Sequence, residues 1–516
     1  MMNVKRKFLA AMLSIGLLMS GCGSDQSSAP STDQKNFTYG TIAYGPAMEN
    51  TGTNPHNSYS GWSTLRYGIG ETLFRFSQSM ELEPWLATDF EQVDDFTVKI
   101  NLNPDAKFSN GKPVDGAAVK KCLEHLIANH DRAPADLKID SITADGNSIT
   151  IHSTEKTPAL LNYLSDPYGC IIDVDAGFEN DIVVGTGPYR AVNVNDTQIE
   201  LVKNENYWGA VKPKLEKITV KSITDGDTLT MAMQNGELDA VQGLPYSSLQ
   251  LFVDNPNFKL SQTDTSRIYQ VAFNFNTPAL QDLNVRRAIS MAVDKNNFTD
   301  VLLHGNGTPA VGPFPSNLPF GDQTVKTVPF DLDAARQLLN DNGWSDSDGD
   351  GYVDRDGQNL ELRYLTYTSR QELPLLAEMI QANLKTIGVK LNVNATDNYK
   401  TFLKSGDYDL YSKAIVTAPT GDPEYYFTSH IVSGAVDNAG HYNSPTLDQL
   451  EARLHNTYTA DNRAALATQM SQQVLDDCAL IYASHLKMSF VMKKNVEGFA
   501  AHPSDYYEIT PALDKK

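Results

Sequence analysis

Predicted strands and helices alternate along much of this chain, and the alternation restricts the fold more than any other feature of the sequence. One stretch shows it clearly. A β-rich run predicts a strand from Ile218 to Ile223, apolar residues at helical spacing follow, Gly236 ends the helix, and a second strand begins at Leu238. A strand–helix–strand unit of this kind is typical of α/β architecture.

Other segments give the same two patterns. Strict alternation from Phe96 to Leu102 predicts a half-buried strand. A turn at Asp145 and Gly146 between two β-rich runs predicts a hairpin, and a long amphipathic helix ends near Gly388 and leads directly into a strand. With 516 residues, of which 41% are hydrophobic, the chain is long enough for two or three domains. We therefore expect mixed sheets flanked by helices, in more than one lobe.

The first residues have the composition of a secretory signal peptide. A basic cluster, Lys5 to Lys7, precedes an apolar run, Phe8 to Met19. That run is too short to cross a bilayer, which takes about 20 apolar residues. Ser20 and Gly21, followed at once by Cys22, resemble the lipobox of bacterial lipoproteins.

The lipobox resemblance implies cleavage before Cys22 and a lipid anchor on its thiol. We expect residues 1–21 to be the lipoprotein signal peptide and residues 22–36 to be a flexible tether. The body of the protein is then lipid-anchored on the extracytoplasmic face of the cell membrane, in an extracellular or periplasmic position. An ordinary signal peptide with an incidental cysteine is the alternative.

Charge and cysteine content exclude several classes of protein. The formal net charge of −21 makes nucleic acid and acidic lipid surfaces poor partners. Apart from Cys22, the cysteines are Cys122, Cys170 and Cys478, which allow one disulfide at most and match no metal motif. Stability must therefore come from packing.

The sequence contains no recognisable catalytic motif. Neither a G-x-S-x-G nucleophile elbow nor an H-E-x-x-H zinc helix is present. His125 and His130 are five residues apart, so they do not share one helical face, and we expect both at the surface. The protein is therefore expected not to be an enzyme, and a secreted hydrolase is the least favoured interpretation.

One acidic stretch, Asp346 to Gly357, resembles a calcium loop. Asp346, Asp348, Asp350 and Asp354 occupy the positions where oxygen ligands wrap the ion, but the twelfth position is Gly357 and not the bidentate glutamate. An acidic turn between a helix and a strand has the same composition. Both interpretations, a plain turn and a structural calcium site at Asp346–Asp354, remain open.

A family resemblance covers nearly the whole body. It is carried by "PWLATDFEQVDDFTVKINLNPDAKFSNGKPVDGAAV", "GTGPYR", "NENYWG", "AFNFNTPALQDLNVRRAISMAVDK", "DAARQLLNDNGW" and "GDPEYYF", in that order. These segments resemble the bacterial extracellular solute-binding proteins of family 5, which serve ABC importers of dipeptides, oligopeptides, nickel and metal chelates.

The resemblance implies an α/β, two-lobed, periplasmic-binding-protein-like fold of type II, in the large form with three subdomains. Lobe I would comprise residues 37–276, with an inserted subdomain at about 75–185; lobe II would comprise 277–483, and 484–516 would return to lobe I. The resemblance also implies that the two lobes close on a ligand and deliver it to a permease and ATPase complex. We expect a monomer with no obligatory cofactor.

Within the family, two segments favour the nickel and metal-chelate branch: "SYSGWSTLRYGIGETLF" and "AHPSDYYEITPAL". The implied ligand-binding residues are Tyr59, Trp62, Arg66, Asp422, Tyr425, Tyr426 and Tyr506, and the implied metal ligands are His430 and His502. The aromatic rings supply flat walls, an arginine pairs a chelator carboxylate, and imidazole suits nickel.

Two alternatives accompany this interpretation. In a receptor for dipeptides or oligopeptides, Asp422 would pair the amino terminus of the peptide. Each residue could also have a structural role: Trp62 and Tyr59 as core aromatics, Arg66 as the partner of a carboxylate within its own lobe, and His502 as the partner of a backbone carbonyl.

Overall fold

The computed structural model describes residues 35–516. The predicted signal peptide, the lipidation site at Cys22 and nearly all of the predicted tether lie outside the described residues. Within 35–516, no helix has the length and hydropathy that crossing a membrane requires. In the same range Cys122, Cys170 and Cys478 are free thiols, and all three are buried.

The described residues form 21 strands and 13 α-helices. The strands are β1 (Asn36–Thr41), β2 (Phe74–Phe76), β3 (Leu82–Pro84), β4 (Ala87–Asp94), β5 (Thr97–Leu102), β6 (Ile139–Asp145), β7 (Ser148–Ser153), β8 (Tyr189–Asn195), β9 (Gln198–Lys203), β10 (Lys217–Ser222), β11 (Ala240–Gln242), β12 (Phe258–Phe273), β13 (Gly307–Pro309), β14 (Asp354–Arg355), β15 (Gln358–Asn359), β16 (Glu361–Thr366), β17 (Lys390–Ala395), β18 (Leu410–Val416), β19 (Leu480–Lys493), β20 (Val496–Glu497) and β21 (Asp514–Lys515). The helices are α1 (Ser60–Arg66), α2 (Gly116–Asn129), α3 (Ala133–Leu137), α4 (Leu160–Tyr163), α5 (Gly226–Gln234), α6 (Tyr246–Val253), α7 (Leu283–Met291), α8 (Leu332–Asp341), α9 (Glu372–Thr386), α10 (Tyr399–Ser405), α11 (Glu424–His430), α12 (Pro445–Leu454) and α13 (Ala460–Asp476).

Eleven strands form one large mixed sheet. Its order is β17-β16-β18-β12-β19-β11-β1-β10-β9-β8, with β13 beside β19. The two central strands, β12 and β19, have 16 and 14 residues and run antiparallel to each other. At about 3.3 Å per residue, each extends across roughly 50 Å, which is enough to belong to both halves of the molecule.

Two large hydrophobic cores lie at the two ends of these long strands. The first contains Tyr39 and Ile218 with Phe490, and the second contains Leu376 with Ile481. We call the part around the first core, which includes β1 and β8–β11, lobe I, and the part around the second core, which includes β16–β18, lobe II. The architecture is therefore α/β and two-lobed, as predicted. The lobe boundaries at 276/277 and 483/484 stay predictions.

The regular pairing of β12 with β19 is interrupted near the middle. Asp264 is opposite Lys487 and Ile268 is opposite His485, so three residues of β12 face one residue of β19. In this bulge the Thr265 hydroxyl donates to the carbonyl of Leu486 at 2.9 Å. A bulge of this kind bends a strand locally.

Lobe I carries a separate four-stranded antiparallel sheet with the order β4-β5-β7-β6, covered by α2. The predicted hairpin is confirmed as β6 and β7, with Asp145 opposite Ser148. The predicted strand–helix–strand unit is confirmed as β10, α5 and β11. Its two strands, β10 and β11, lie on either side of β1 and run parallel to it. The sheet lies inside the range predicted for the inserted subdomain, about 75–185, whose boundaries stay a prediction.

Candidate ligand-binding cleft

A cavity of about 230 Å³ opens on lobe I where α1 meets the segment after α4. Its lining residues are Glu49, Ser58, Tyr59, Gly61, Trp62, His130, Asp131, Arg132, Asp166 and Tyr168. We call it the aromatic cavity because three of its walls are the rings of Tyr59, Trp62 and Tyr168. Two residues of the predicted set, Tyr59 and Trp62, therefore lie in one pocket.

The close packing of α1 explains how this cavity is formed. A Cβ atom on Gly61 would lie 2.7 Å from the backbone carbon of Pro167, so only glycine lets the helix approach the 167–169 turn this closely. The side chain of Asp166 begins that turn by accepting a hydrogen bond from the backbone N of Tyr168 at 3.2 Å. As a result Trp62 and Tyr168 face the same space.

The histidine in the cavity was expected at the surface, and that expectation is wrong. His130 is only 6% exposed. Its Nδ1 accepts from the backbone N of Arg132 and of Ala133 at 3.1 Å, and its Nε2 lies 3.1 Å from the carbonyl of Ser58. Burial lowers the pKa of His130, so the neutral tautomer protonated on Nε2 fits this site.

An arginine that sequence reasoning missed also lines the cavity. The guanidinium of Arg132 donates to Asp166 at 2.9 Å and lies over the ring of Tyr168, 5.3 Å from its centroid. The charge of Asp166 is the main cause of the raised pKa of Arg132, which stays fully protonated. The cavity therefore combines aromatic walls with a fixed ion pair.

Trp62 connects the cavity to the C-terminal segment. The Tyr506 ring packs edge-on against it at 5.1 Å, and the Arg66 guanidinium lies 4.5 Å from its ring centroid. Arg66 donates from Nε to the backbone carbonyl of Asp505 at 2.8 Å and forms an ion pair with the Asp505 side chain, and the buried carboxyl group of Glu508 lies 3.6 Å from its Nε. Arg66 thus has carboxylate partners in the same lobe; its pairing with a chelator carboxylate stays a prediction.

The predicted lobe II residues lie on α11. Tyr425 is half-buried; burial raises the pKa of its hydroxyl, and the charge of Arg132 in the aromatic cavity lowers it. Tyr426 is fully buried, and its hydroxyl bonds to Gln270 at 2.9 Å and Tyr482 at 3.0 Å. Ligand contacts by Tyr425 and Tyr426 stay predictions.

His430, at the end of α11, is 3.2 Å from the ammonium of Lys413 through its Nδ1. Burial, reinforced by the charge of Lys413, lowers the pKa of His430 to about 3, so the ring is neutral at physiological pH. A neutral imidazole is the form that binds metal, although the neighbouring cation opposes an incoming one. Metal binding by His430 stays a prediction.

The other predicted metal ligand and the predicted peptide partner already have protein partners. His502 Nδ1 is 2.7 Å from the Ser504 hydroxyl, its ring packs on Tyr507, and burial lowers its pKa to about 4. Both oxygens of Asp422 accept from Arg463, at 2.7 and 2.8 Å. Ligand contacts by His502 and Asp422 stay predictions, and the structure gives each of them a structural role.

Side chains of lobe I contact the 418–421 segment of lobe II directly. The Tyr506 hydroxyl donates to the carbonyl of Pro419 at 2.7 Å, and the Asn162 amide donates to the carbonyl of Thr420 at 2.9 Å. Gly421 has a φ of 65°, and a Cβ there would lie 2.8 Å from the Phe76 ring. These contacts hold the two lobes together beside the aromatic cavity.

The acidic loop has carboxylates that could hold a cation. Oxygens of Asp346, Asp348 and Asp354 lie within 4.8 Å of one another. Asp346 also accepts from the backbone N of Gly349 at 2.7 Å and of Gly351 at 3.0 Å, as in an ordinary acidic turn. Both interpretations are compatible with this geometry, and calcium at Asp346–Asp354 stays a prediction.

Comparison with known proteins decides the family. The family model described as "Bacterial extracellular solute-binding proteins, family 5 Middle" matches residues 81–437. The chain belongs to this family. It is thus a member of a group of solute-binding receptors, which confirms the resemblance seen in the sequence.

Individual members of family 5 match over most of their length. The nickel-binding protein NikA of Staphylococcus aureus is 26% identical over 509 residues, covering 98% of each chain. A glutathione-binding protein, GsiB of Pectobacterium atrosepticum, is 25% identical over 491 residues, covering 90% of this chain and 92% of its own. The crystal structure of a nickel ABC transporter from Bacillus halodurans is 29% identical with a TM-score of 0.83, covering 93% of this chain and 100% of the other.

Proposed function

We propose that this protein captures a nickel complex, or another small metal–chelator complex, between its two lobes and delivers it to the permease and ATPase of an ABC importer. The observation that carries the proposal is the aromatic cavity of about 230 Å³ in lobe I, near the contacts of Tyr506 and Asn162 with the 418–421 segment of lobe II. Flat rings and a small volume suit a compact chelate better than a long peptide. Family 5 membership and the nickel-binding relatives support the same choice.

The delivery step follows from the two-lobed architecture. A ligand that contacts both lobes stabilises the closed arrangement by the difference between its affinities for the closed and open forms. In this proposal, Tyr59 on lobe I and Tyr425 on lobe II would make such contacts, which the position of Tyr59 in the cavity lining supports. The closed form is the one that the permease recognises, and the solute leaves unchanged, so no reaction is catalysed.

The membrane anchor and the domain limits belong to this proposal. A lipid on Cys22 and the tether to residue 36 would keep a monomeric receptor next to its permease on the extracytoplasmic face. Lobe II would comprise residues 277–483, and the long strands β12 and β19 would form the connections between the lobes.

The alternative is a receptor for a dipeptide or oligopeptide. It is favoured by one observation, the glutathione-binding relative that covers 90% of this chain. Denaturing extraction of protein purified from its own host, followed by mass spectrometry and metal analysis, separates the two proposals. Short peptides in the extract support the alternative, and stoichiometric nickel supports the chelate.

Binding of nickel–histidine, measured by calorimetry, tests the main proposal. Tyr59 is 45% exposed, and Tyr59→Ala removes a cavity wall. We therefore expect about 2- to 13-fold weaker binding, because an aromatic contact contributes about 0.5–1.5 kcal/mol. Phe330→Ala is the matched control, because Phe330 is 43% exposed and lies outside the cavity lining. Equal affinities for both variants and the unmodified protein would argue against the aromatic cavity as the binding site.

A further inference from the structure

Three residues with metal-binding side chains come together in lobe II, and none of them lines the aromatic cavity. Glu424 lies on α11, Glu451 lies on α12, and His455 directly follows the last residue of α12. One oxygen of each carboxylate and one imidazole nitrogen lie within 4.8 Å of one another. The three groups are therefore close enough to share one ion.

The local sequence places two of these residues on one helical face. Glu451 and His455 are four residues apart, and the backbone N of His455 donates to the carbonyl of Glu451 at 2.8 Å, so the helical turn includes both. The helix is fixed at its start, where the Ser444 side chain accepts from the backbone N of Leu447 and Pro445 occupies the first turn. Both side chains thus belong to one well-defined element.

The third residue is oriented by a buried arginine. Glu424 is only 6% exposed. Its Oε2 accepts from Nη2 of Arg463 at 2.7 Å, and its Oε1 lies 2.7 Å from Nδ1 of His455. Carboxylates that bind metals usually have an outer hydrogen-bond partner of this kind, which fixes the direction of the other oxygen. Glu424 therefore has one oxygen held by Arg463 and the other directed at the end of α12.

Glu451 is the member of the group that an ordinary ion pair does not explain. Among residues 35–516, its carboxylate has neither a hydrogen bond nor an ion pair. It is half-buried beside the carboxylate of Glu424, so two like charges lie close together. An ion pair between Glu424 and His455 needs no further acid. A metal ion, in contrast, would use all three groups and offset the repulsion between the carboxylates.

The chemistry of the three groups indicates the class of metal. Calcium and magnesium prefer oxygen ligands, whereas imidazole suits zinc, copper, iron and nickel. Zinc binds both His nitrogen and Glu oxygen, and open zinc sites have three protein ligands. Two carboxylates balance the charge of one divalent ion. The positive charge of Arg463 does not disturb this balance, because Arg463 is also paired with Asp422 at 2.7 Å.

The group is accessible from solvent and lies between two helices. The side chain of His455 is 39% exposed, which gives an ion a path of entry. Glu424 is the first residue of α11, so a shared ion would attach the start of α11 to the end of α12. The next residue of α11 is Tyr425, a predicted ligand-binding residue. An ion here would hold that part of lobe II in place without contacting the solute.

We propose that Glu424, Glu451 and His455 bind a divalent first-row transition-metal ion of the zinc type. The ligand atoms are one oxygen of each glutamate and Nδ1 of His455. The proposal goes beyond the transport function, because this ion stays with the receptor and is not its cargo. Its role is to stabilise the contact between α11 and α12.

Calorimetric titration of the metal-stripped protein with ZnCl₂, in the absence of any chelator, tests the proposal. Glu451→Gln and His455→Gln each remove one ligand. Each should weaken one zinc-binding event at least about 10-fold, since loss of even an outer partner of a metal ligand costs about 10- to 100-fold. ZnCl₂ should also raise the melting temperature of the unmodified protein more than that of either variant, because an ion that binds only the folded state stabilises it.

A control variant and the metal-free proteins separate zinc binding from a purely structural role. His152→Gln is the matched control, because the exposed His152 lies 3.7 Å from a single carboxylate, Asp140; this variant should bind zinc as the unmodified protein does. Since the Glu451 carboxylate has no protein partner, Glu451→Gln should not lower the melting temperature of the metal-free protein.

Two outcomes would overturn the proposal. The first is zinc binding that is absent from the unmodified protein, or equal in it and in both ligand variants. The second is a melting temperature of Glu451→Gln that is lowered by the same amount with and without zinc, since that would show a structural role alone. Binding of nickel–histidine in the cleft is measured separately, so the proposed function would stand in either case.

Discussion

The contacts between the lobes predict how ligand affinity depends on closure. The Tyr506 hydroxyl and the Asn162 amide each donate one hydrogen bond from lobe I to a backbone carbonyl of the 418–421 segment. Tyr506→Phe and Asn162→Ala each remove one of these bonds. The aromatic cavity keeps its rings in both variants.

The expected magnitude follows from the geometry. Each bond is of ordinary length, 2.7 and 2.9 Å, and a protein hydrogen bond contributes about 0.5–1.5 kcal/mol net. Each variant should therefore reduce the closing equilibrium about 2- to 13-fold. Where most unliganded molecules are open, the dissociation constant for nickel–histidine rises by the same factor. The double variant should show about the product of the two factors.

Calorimetric titration of each variant with nickel–histidine measures the dissociation constant. Tyr44→Phe is the control, because the Tyr44 hydroxyl bonds only to carbonyls of lobe I, Thr51 at 2.9 Å and Asn195 at 2.6 Å. Asn162 is the decisive position because it was not predicted to contact ligand. Unchanged affinity in Asn162→Ala and the double variant would refute the view that these bonds hold the closed form.

Two further predictions concern stability. Asp422→Asn breaks the buried pair with Arg463 and should lower the free energy of unfolding in urea by about 3 kcal/mol. Asp333→Asn, the control at an exposed pair, should change it by less than about 0.5 kcal/mol. An unchanged free energy of unfolding in Asp422→Asn would contradict the structural role of this carboxylate. Because burial raises the pKa of Glu508 to about 8, the folded protein binds a proton that the unfolded chain releases near pH 4.5. The free energy of unfolding of the unmodified protein, relative to that of Glu508→Gln, should therefore fall as the pH rises from 4.5 to 8, by up to about 1.4 kcal/mol per pH unit. If the urea midpoints of the two proteins keep a constant difference across this range, the buried protonated carboxyl group is excluded.

The local elements of the fold were accessible from the sequence because each has its own short-range signal. The β6–β7 hairpin is set by its turn, and the helix α9 ends at Thr386, two residues before Gly388, whose φ is 80°. Residues 284–305 carry apolar residues at helical spacing, but α7 ends at Met291 and is followed by a π-helical turn over Asn297–Leu302. Apolar spacing alone did not reveal that break.

The candidate site was only partly accessible for a physical reason. Tyr59 and Trp62 were identified through a family resemblance, and both line the cavity. His130 was misjudged because its burial depends on Ser58, 72 positions earlier in the chain. Arg132 and its partner Asp166 were missed for the same reason, since a pair 34 residues apart leaves no local pattern.

The bulge in β12 bears on the proposed closure of the receptor. Because one continuous sheet passes through both lobes, closure would twist the two-stranded ribbon of β12 and β19, and the twist would concentrate where Thr265 to Arg267 interrupt the ladder.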